Sequence, residues 1–359
     1  MKKVLYVSPV GHIGGAEKCL LQLIKHHKRF EPYLLCLRDG PLAQIANFKI
    51  EVTRLLHPNT PFAISKIRSI IKKLKPDIVV GNIAYAQIYS SVSSLFLAKK
   101  IFFPHATLQI KLKDIKGTLI YLAALGLPYD KIWVGSYFSK KSIEKICPSN
   151  KIQVVYPGIE LERFEKLQTK ETKSKKDGIK IFSHGRIHPS KGFHFLLEVV
   201  KKLPNCLLLI AGEAHSPIEK RYKDFLLREA DKIGIKERVK FLGWSAEPEK
   251  YAVECDILVY PFDRRVGEES FPLAVLEGMA CSKPVIVNPS GGIAEYAKNM
   301  QNCIFTNSHP DDILQKILLI LKNRELSEFI SENAYETAKA FTVERFVEGI
   351  ENMFFSVLS

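Results

Sequence analysis

The sequence predicts two α/β domains in tandem, each a mainly parallel sheet covered by helices on both faces. Three observations carry this. The chain has 359 residues, more than the roughly 250–300 at which single cores stop growing. Short β-branched runs alternate with helical stretches, the rhythm of βαβ units. That rhythm occurs twice, on either side of a polar, lysine-rich stretch, KLQTKETKSKKDG, residues 166–178, the least core-like part of the chain and the place for a linker, at or just before it.

The elements follow in order. VLYVSPV is a first strand and runs into a glycine turn; Ala16 to His27 is a helix with Cys19, Leu20, Leu23 and Ile24 on one face. EPYLLCLR is a second strand. Ser65 to Leu74 is an amphipathic helix with Ile67, Ile70, Ile71 and Leu74 aligned, stopped by Pro76, and DIVVGN is the next strand. KIFFPH and KIWVGS are further strands. The second block runs through the strand GIKIFSHGR, a helix from Phe193 to Leu203, CLLLIAGE, a helix from Arg221 to Ile233, RVKFLGW, DILVYP, a helix from Leu273 to Ala280 and KPVIVNP. The domains are expected over residues 1–160 and 161–341. Tandem domains of this kind suggest a ligand cleft between them.

Composition excludes several classes. An apolar fraction of 46% and a charged fraction of 25% are ordinary for a globular chain, not a disordered, collagen-like or coiled-coil one. No apolar run approaches the ~20 residues that span a bilayer. The first residues read as a strand, since a signal peptide needs a longer apolar region and a small-residue cleavage site. Seven scattered cysteines without a C-x-x-C pair read as buried thiols of a reducing compartment, so a cytoplasmic protein is expected. The net charge of +15 is uneven: residues 1–160 hold 24 Lys and Arg against 9 Asp and Glu, and residues 161–359 hold 29 of each. Either the N-terminal part meets an anionic partner, or it carries a basic solvated surface.

Three segments carry candidate chemistry. Gly14-Gly15-Ala16-Glu17 joins the first strand to the first helix. It is a tight turn with a carboxylate favourable to the helix dipole, and equally a place where an anion can approach the backbone. It lacks the G-x-G-x-x-G spacing of a dinucleotide site. SHGRIHPSKG, residues 183–192, presents Arg186 and Lys191 between Gly185 and Gly192, at a strand's end and before a helix. Two cations there suit a diphosphate, Arg through its planar fork and Lys as a point charge. Glu269 stands on a loop and Glu277 inside the helix that Pro272 introduces. A helix carboxylate can accept two hydroxyl hydrogen bonds at once, as a ribose diol requires. Val275, Leu276 and Met279 surround Glu277 with apolar neighbours, so its carboxylate needs a partner.

These segments, with His105 in FFPHAT, the VVYPGIELERF crossover, the IAGE and KFLGW strands and EESFPLAVLEGMACSKPVIVNPSGGIAE, resemble the retaining glycosyltransferases of group 1, or family 4. The resemblance covers nearly the whole chain in order. It implies the GT-B fold: two Rossmann-like domains facing a cleft, an acceptor-binding N-terminal one and a C-terminal one for the nucleotide sugar. A last helix, within residues 342–359, would cross back to the N-terminal domain. It implies that Gly14 and Gly15 admit the donor diphosphate, that Arg186 and Lys191 neutralise it, and that Glu277 binds the ribose while Glu269 sits near the donor sugar. Ser270, Phe271, Pro272 and Leu273 would touch sugar or phosphate through their backbone, and His105 would reach the sugar. The base would lie near Gly185 and around Leu242 to Trp244. Ser270 stands where the family often has glycine, and Pro272 replaces a second glycine.

The expectation is therefore a hexosyltransferase with a UDP- or GDP-linked donor and a glycan or lipid-linked acceptor, in envelope polysaccharide or lipopolysaccharide synthesis. No D-x-D triplet occurs, and Arg186, Lys191 and a helix dipole can replace a divalent cation, so no catalytic metal and no cofactor are expected. Two alternatives stand: a sugar-nucleotide epimerase of the same fold, and a basic nucleic-acid-binding protein. The second lacks aromatics interleaved with its lysines. The basic helix around Ser65 to Leu74 and the stretch Lys111 to Leu127, with Lys111, Lys113 and Lys116 beside Leu119, Ile120, Leu122 and Leu125, point to peripheral contact with an anionic membrane or to a helix packed on its own domain.

Overall fold

A computed structural model describes residues 1–9, 14–38, 40, 42, 61–105, 115–168 and 178–359. The chain divides into two compact units, Met1–Gly158 with Val343–Ser359, and Ile159–Thr342.

The first unit holds strands β1 (Lys2–Ser8), β2 (Phe30–Cys36), β3 (Ile78–Asn82), β4 (Lys99–Phe103), β5 (Lys131–Val134) and β6 (Ile152–Val154). They form one sheet in the order β2-β1-β3-β4-β5-β6, each pair parallel. Helices Gly15–His26, Pro61–Leu74, Ile83–Ser93, Ile115–Gly126 and Tyr137–Ile143 connect them. Ile83–Ser93 is missing from the sequence expectation. It lacks an amphipathic stripe because it buries Ser90 and Ser91 along with alanines. Gly81 makes this contact possible, since a Cβ there would meet the Gln87 Cα at 2.6 Å. Pro61–Leu74 begins four residues before the expected Ser65.

The last helix, Val343–Leu358, belongs to the first unit. Its Phe354 packs edge-on against Phe30, its Phe346 lies 5.3 Å from Trp133, and Gly349 fits where a Cβ would come within 2.6 Å of Val155. Glu351, buried on this helix, accepts from the backbone N–H groups of Lys28 and Arg29, from Arg29 Nε at 2.6 Å and from His27 Nδ1 at 3.0 Å, while Tyr6 Oη meets His27 Nε2 at 2.6 Å. Burial works to raise the Glu351 carboxyl, but these donors outweigh it and hold its pKa at about 2.

The second unit holds β7 (Ile179–His184), β8 (Cys206–Ala211), β9 (Val239–Gly243), β10 (Ile257–Tyr260), β11 (Val285–Val287) and β12 (Ile304–Phe305), parallel in the order β12-β11-β10-β7-β8-β9. This is the doubly wound Rossmann order, which reverses between β7 and β10. Helix Glu162–Gln168 belongs to this unit, anchored by Arg163 on Glu249 and on the Ala246 carbonyl; residues 169–177 of the lysine-rich stretch lie outside the described residues. Helix Pro217–Lys232 starts before the expected Arg221 because Ser216 caps it: its hydroxyl accepts from the Glu219 N–H, and Glu219 Oε2 accepts from the Ser216 N–H. All seven cysteines are buried free thiols.

Candidate active site at the sheet switch points

In a parallel doubly wound sheet, ligands bind beyond the carboxyl ends of the strands, where the strand order reverses. In the second unit that point lies between the loops after β7 and β10, and the sequence places its densest chemistry on those loops. The β7 loop carries Gly185, Arg186, a short 3₁₀ turn Pro189–Lys191 and Gly192. Gly192 has φ +71°, and a Cβ on it would stand 1.9 Å from the Pro261 carbonyl oxygen, so only glycine lets the two loops touch. The Asp263 N–H donates to the Ser190 carbonyl, fastening them again.

Lys191 Nζ then reaches Glu269 Oε1 at 2.8 Å across the two loops, with most of both side chains out of solvent. The lysine also lies 5.0 Å from the Phe262 ring centroid, and a Cβ on Gly185 would touch its Cε at 3.5 Å. Glu269 is held from behind, because its carbonyl accepts from the Gly292 N–H at 3.0 Å. Gly291, at φ +62°, leaves no room for a side chain there. Pro272 precedes the first turn of helix Leu273–Ala280, aiming that N-terminus and its N–H groups towards the same edge. Phe271 is buried against Tyr296 and Phe341, and Ser270 is half-buried.

Glu277 faces inward from that helix, and one of its partners comes from β7. His184, the last residue of β7, places Nε2 3.0 Å from Glu277 Oε2, and Tyr260 Oη lies 3.0 Å from His184 Nδ1. All three are buried. Burial pushes the Tyr260 phenol well above its ordinary pKa, so it keeps its proton.

Arg186 is placed differently from Lys191. More than half its side chain is exposed, and it pairs with Glu219 Oε1 at 3.1 Å. Burial works to raise the Glu219 carboxyl, but the Ser216 and His215 amides and the Arg186 charge outweigh it and hold its pKa below the usual range. Trp244 follows β9, two strands from β7, and is about half exposed.

The first unit has its own switch point, between β1 and β3. Gly14 and Gly15 lie beyond β1; the Gly14 N–H donates to Glu17 Oε2 at 3.0 Å, and a Cβ on Gly15 would meet nothing within 4 Å. His105, beyond β4, has φ +55° and sets Nε2 2.7 Å from Asn82 Oδ1 at the end of β3. Phe103 and Trp133 meet the ring edge-on, and burial holds its pKa down to about 3. The ring is therefore neutral near pH 7.

Two family models match in succession: one described as Glycosyltransferase Family 4 over residues 13–163, and one described as Glycosyl transferases group 1 over residues 164–337. A D-inositol 3-phosphate glycosyltransferase of Mycobacterium marinum is 30% identical over 177 residues, 48% of this chain and 37% of that one. A lipopolysaccharide core biosynthesis glycosyltransferase of Rhizobium meliloti is 25% identical over 158 residues, 44% of each. Such matches span about half the length of the curated relatives or less. The crystal structure of Anabaena HepE in complex with UDP and glucose superposes with a TM-score of 0.86 at 20% identity, over 99% of this chain and 100% of that one. Between them the two models cover almost the whole chain, each on one α/β unit, and the chain belongs to the group 1, or family 4, glycosyltransferases with the GT-B fold.

Proposed function

We propose that the chain moves a sugar from a UDP- or GDP-linked donor to a hydroxyl of a glycan or glycolipid acceptor, with retention of configuration. The observation that carries this is the Lys191–Glu269 pair at the β7/β10 switch point, framed by Gly192 and Gly291. Lys191, the N–H groups at the start of helix Leu273–Ala280 and Arg186 are set to receive a diphosphate. Their attraction grows as the bond from the anomeric carbon to the phosphate oxygen breaks and its electron pair passes to the leaving group. The acceptor oxygen attacks the same face, and its proton goes to the departing phosphate oxygen. Glu269 stands beside the sugar, and Glu277 accepts from the ribose hydroxyls. His105 meets the sugar as a neutral ring, and the first unit binds the acceptor. Anabaena HepE, with UDP and glucose in its crystal, supports a nucleotide-sugar donor, and the Rhizobium relative supports an acceptor in lipopolysaccharide synthesis. The test is a screen of nucleotide sugars for slow hydrolysis without acceptor. One donor cleaved far faster than the others, and spared by Lys191→Ala, is the expected result; no cleavage of any nucleotide sugar speaks against the reading.

The first unit is further proposed to rest on an anionic membrane surface. Lys28, Lys2, Lys75, Lys99 and Lys151 surround the edge at which the strands begin. The turn Leu95-Phe96-Leu97 leads into β4 there, with Phe96 92% exposed. Ile115, Leu119 and Leu122 add an exposed apolar stripe on their helix, while Leu125 packs inward; Lys111, Lys113 and the Lys116 side chain lie outside the described residues. Among the described residues no helix is long and apolar enough to cross a membrane. Each lysine near an anionic surface contributes about 1 kcal/mol, screened by salt. Co-sedimentation with anionic liposomes is expected at low salt, weakened by Phe96→Ser or by high salt. No binding at low salt leaves only a basic solvated surface.

A further inference from the structure

We propose that His184 is a positioning residue of the nucleotide site: it holds the Glu277 carboxylate for the donor ribose, and Tyr260 selects the histidine tautomer that does so. This rests on the reading of Glu277 as the ribose ligand.

The argument starts from the atoms. A carboxylate only accepts, so the His184 nitrogen 3.0 Å from Glu277 Oε2 carries a hydrogen and donates. In the neutral ring the other nitrogen, Nδ1, then has a lone pair to offer, and the Tyr260 hydroxyl 3.0 Å away donates into it. With the ring neutral, the order of donation runs from tyrosine to histidine to glutamate. A carboxylate anchored on one side keeps its orientation when a diol arrives.

The surroundings are shaped for this chain of bonds. His184 and Tyr260 end β7 and β10, the two strands at the switch point, so both stand at the ligand edge. Gly278, next to Glu277, makes room: a Cβ there would lie 2.7 Å from Tyr260 Oη and 2.9 Å from Leu258 Cδ2. Phe182 stacks on the histidine ring at 5.3 Å. A buried carboxylate that loses one of its donors would shift towards its remaining partners or take up a proton, and either change impairs it as a two-hydroxyl acceptor.

The test is calorimetric binding of UDP and GDP, followed by the 2′,3′-dideoxy counterpart of whichever binds, to wild type, His184→Leu, His184→Gln, Tyr260→Phe and Glu277→Gln. One lost hydrogen bond to a charged group predicts roughly tenfold weaker ribonucleotide binding in His184→Leu, with little change for the dideoxy form. The glutamine amide offers an N–H close to the place of Nε2, so His184→Gln should recover most of the affinity. Tyr260→Phe should weaken binding by only about threefold, a neutral bond. In turnover the donor KM rises and kcat at saturation holds. Equal losses for both nucleotides, or no recovery in His184→Gln, would make the histidine a packing residue and overturn the proposal. Full affinity in His184→Leu with weak binding in Glu277→Gln sinks the histidine role alone. Full affinity in Glu277→Gln sinks the ribose reading beneath it. Should His184→Leu fail to fold, His184→Gln and Tyr260→Phe decide, since unequal losses for the two nucleotides are still required.

Discussion

Each unit buries a chain running from a tyrosine hydroxyl through a histidine ring to a glutamate carboxylate, and the two chains have different surroundings. In the first unit Tyr6, His27 and Glu351 join β1 to the last helix, near where β2 begins; in the second, Tyr260, His184 and Glu277 stand where β10 and β7 end. Glu351 collects N–H donors from His27, Lys28 and Arg29 and ties a helix down. Glu277 lies beside the loops that carry Lys191 and Glu269. The same three residue types thus tie a helix to the sheet in the first unit and, on the proposed reading, hold a ligand-binding carboxylate in the second. Tyr260 and His184 end their strands, at the carboxyl edge where doubly wound sheets bind ligands, whereas Tyr6 lies within β1.

The sharpest way to break this comparison is at Lys191. Its charge is asked to stabilise a leaving group only as the bond breaks, so Lys191→Ala should lower turnover by about 10²–10³ while the thermal midpoint holds. A rate within threefold of wild type would remove the second unit's claim to the chemistry. Glu351 gives the counterpart in the first unit. A carboxyl with a folded pKa of about 2 against an ordinary 4.5 stabilises the fold above the unfolded value, and that contribution is lost as pH falls from about 4.5 through 2. It is worth roughly 3 kcal/mol at neutral pH, so Glu351→Gln should lower the melting temperature by about 5–10 °C. Nucleotide affinity should be untouched, and the loss should shrink in acid; a variant that melts normally but binds nucleotide poorly would reverse the assignment of the two chains.

Glu277→Gln is the mirror experiment. It should weaken nucleotide binding about ten- to a hundredfold, the value of one to two hydrogen bonds to a charge, with a melting curve close to wild type. The smallest effect is expected at His105. With a pKa of about 3, its ring is already neutral at pH 5, so His105→Asn should slow turnover without altering the shape of the pH–rate profile between pH 5 and 8. A wild-type limb near pH 6.5 that vanishes in the variant would show that the ring titrates during turnover.

The same comparison separates what the sequence carries from what it hides. The Lys191 and Glu269 loops, Glu277 inside its helix and the βαβ rhythm of both halves are legible because each is a local pattern of strand end, glycine and helix start. The partner of Glu277 is not. His184 stands 93 residues away, and only the reversed strand order brings β7 beside β10. Glu219 is hidden in the same way, although Ser216-Pro217-Ile218-Glu219 is a readable helix start. Helix Ile83–Ser93 escapes the hydrophobic pattern because small and polar side chains pack over Gly81, and β12 escapes because it has two residues.

The central claim, that the loops after β7 and β10 hold a nucleoside diphosphate without help from a divalent cation, is tested most directly by calorimetry with UDP and GDP in EDTA. One of the two should bind wild type at a single site, and Lys191→Ala and Glu277→Gln should each weaken it at least tenfold by loss of a charged hydrogen bond. Binding that appears only when magnesium or manganese is restored, or that ignores both substitutions, would contradict it.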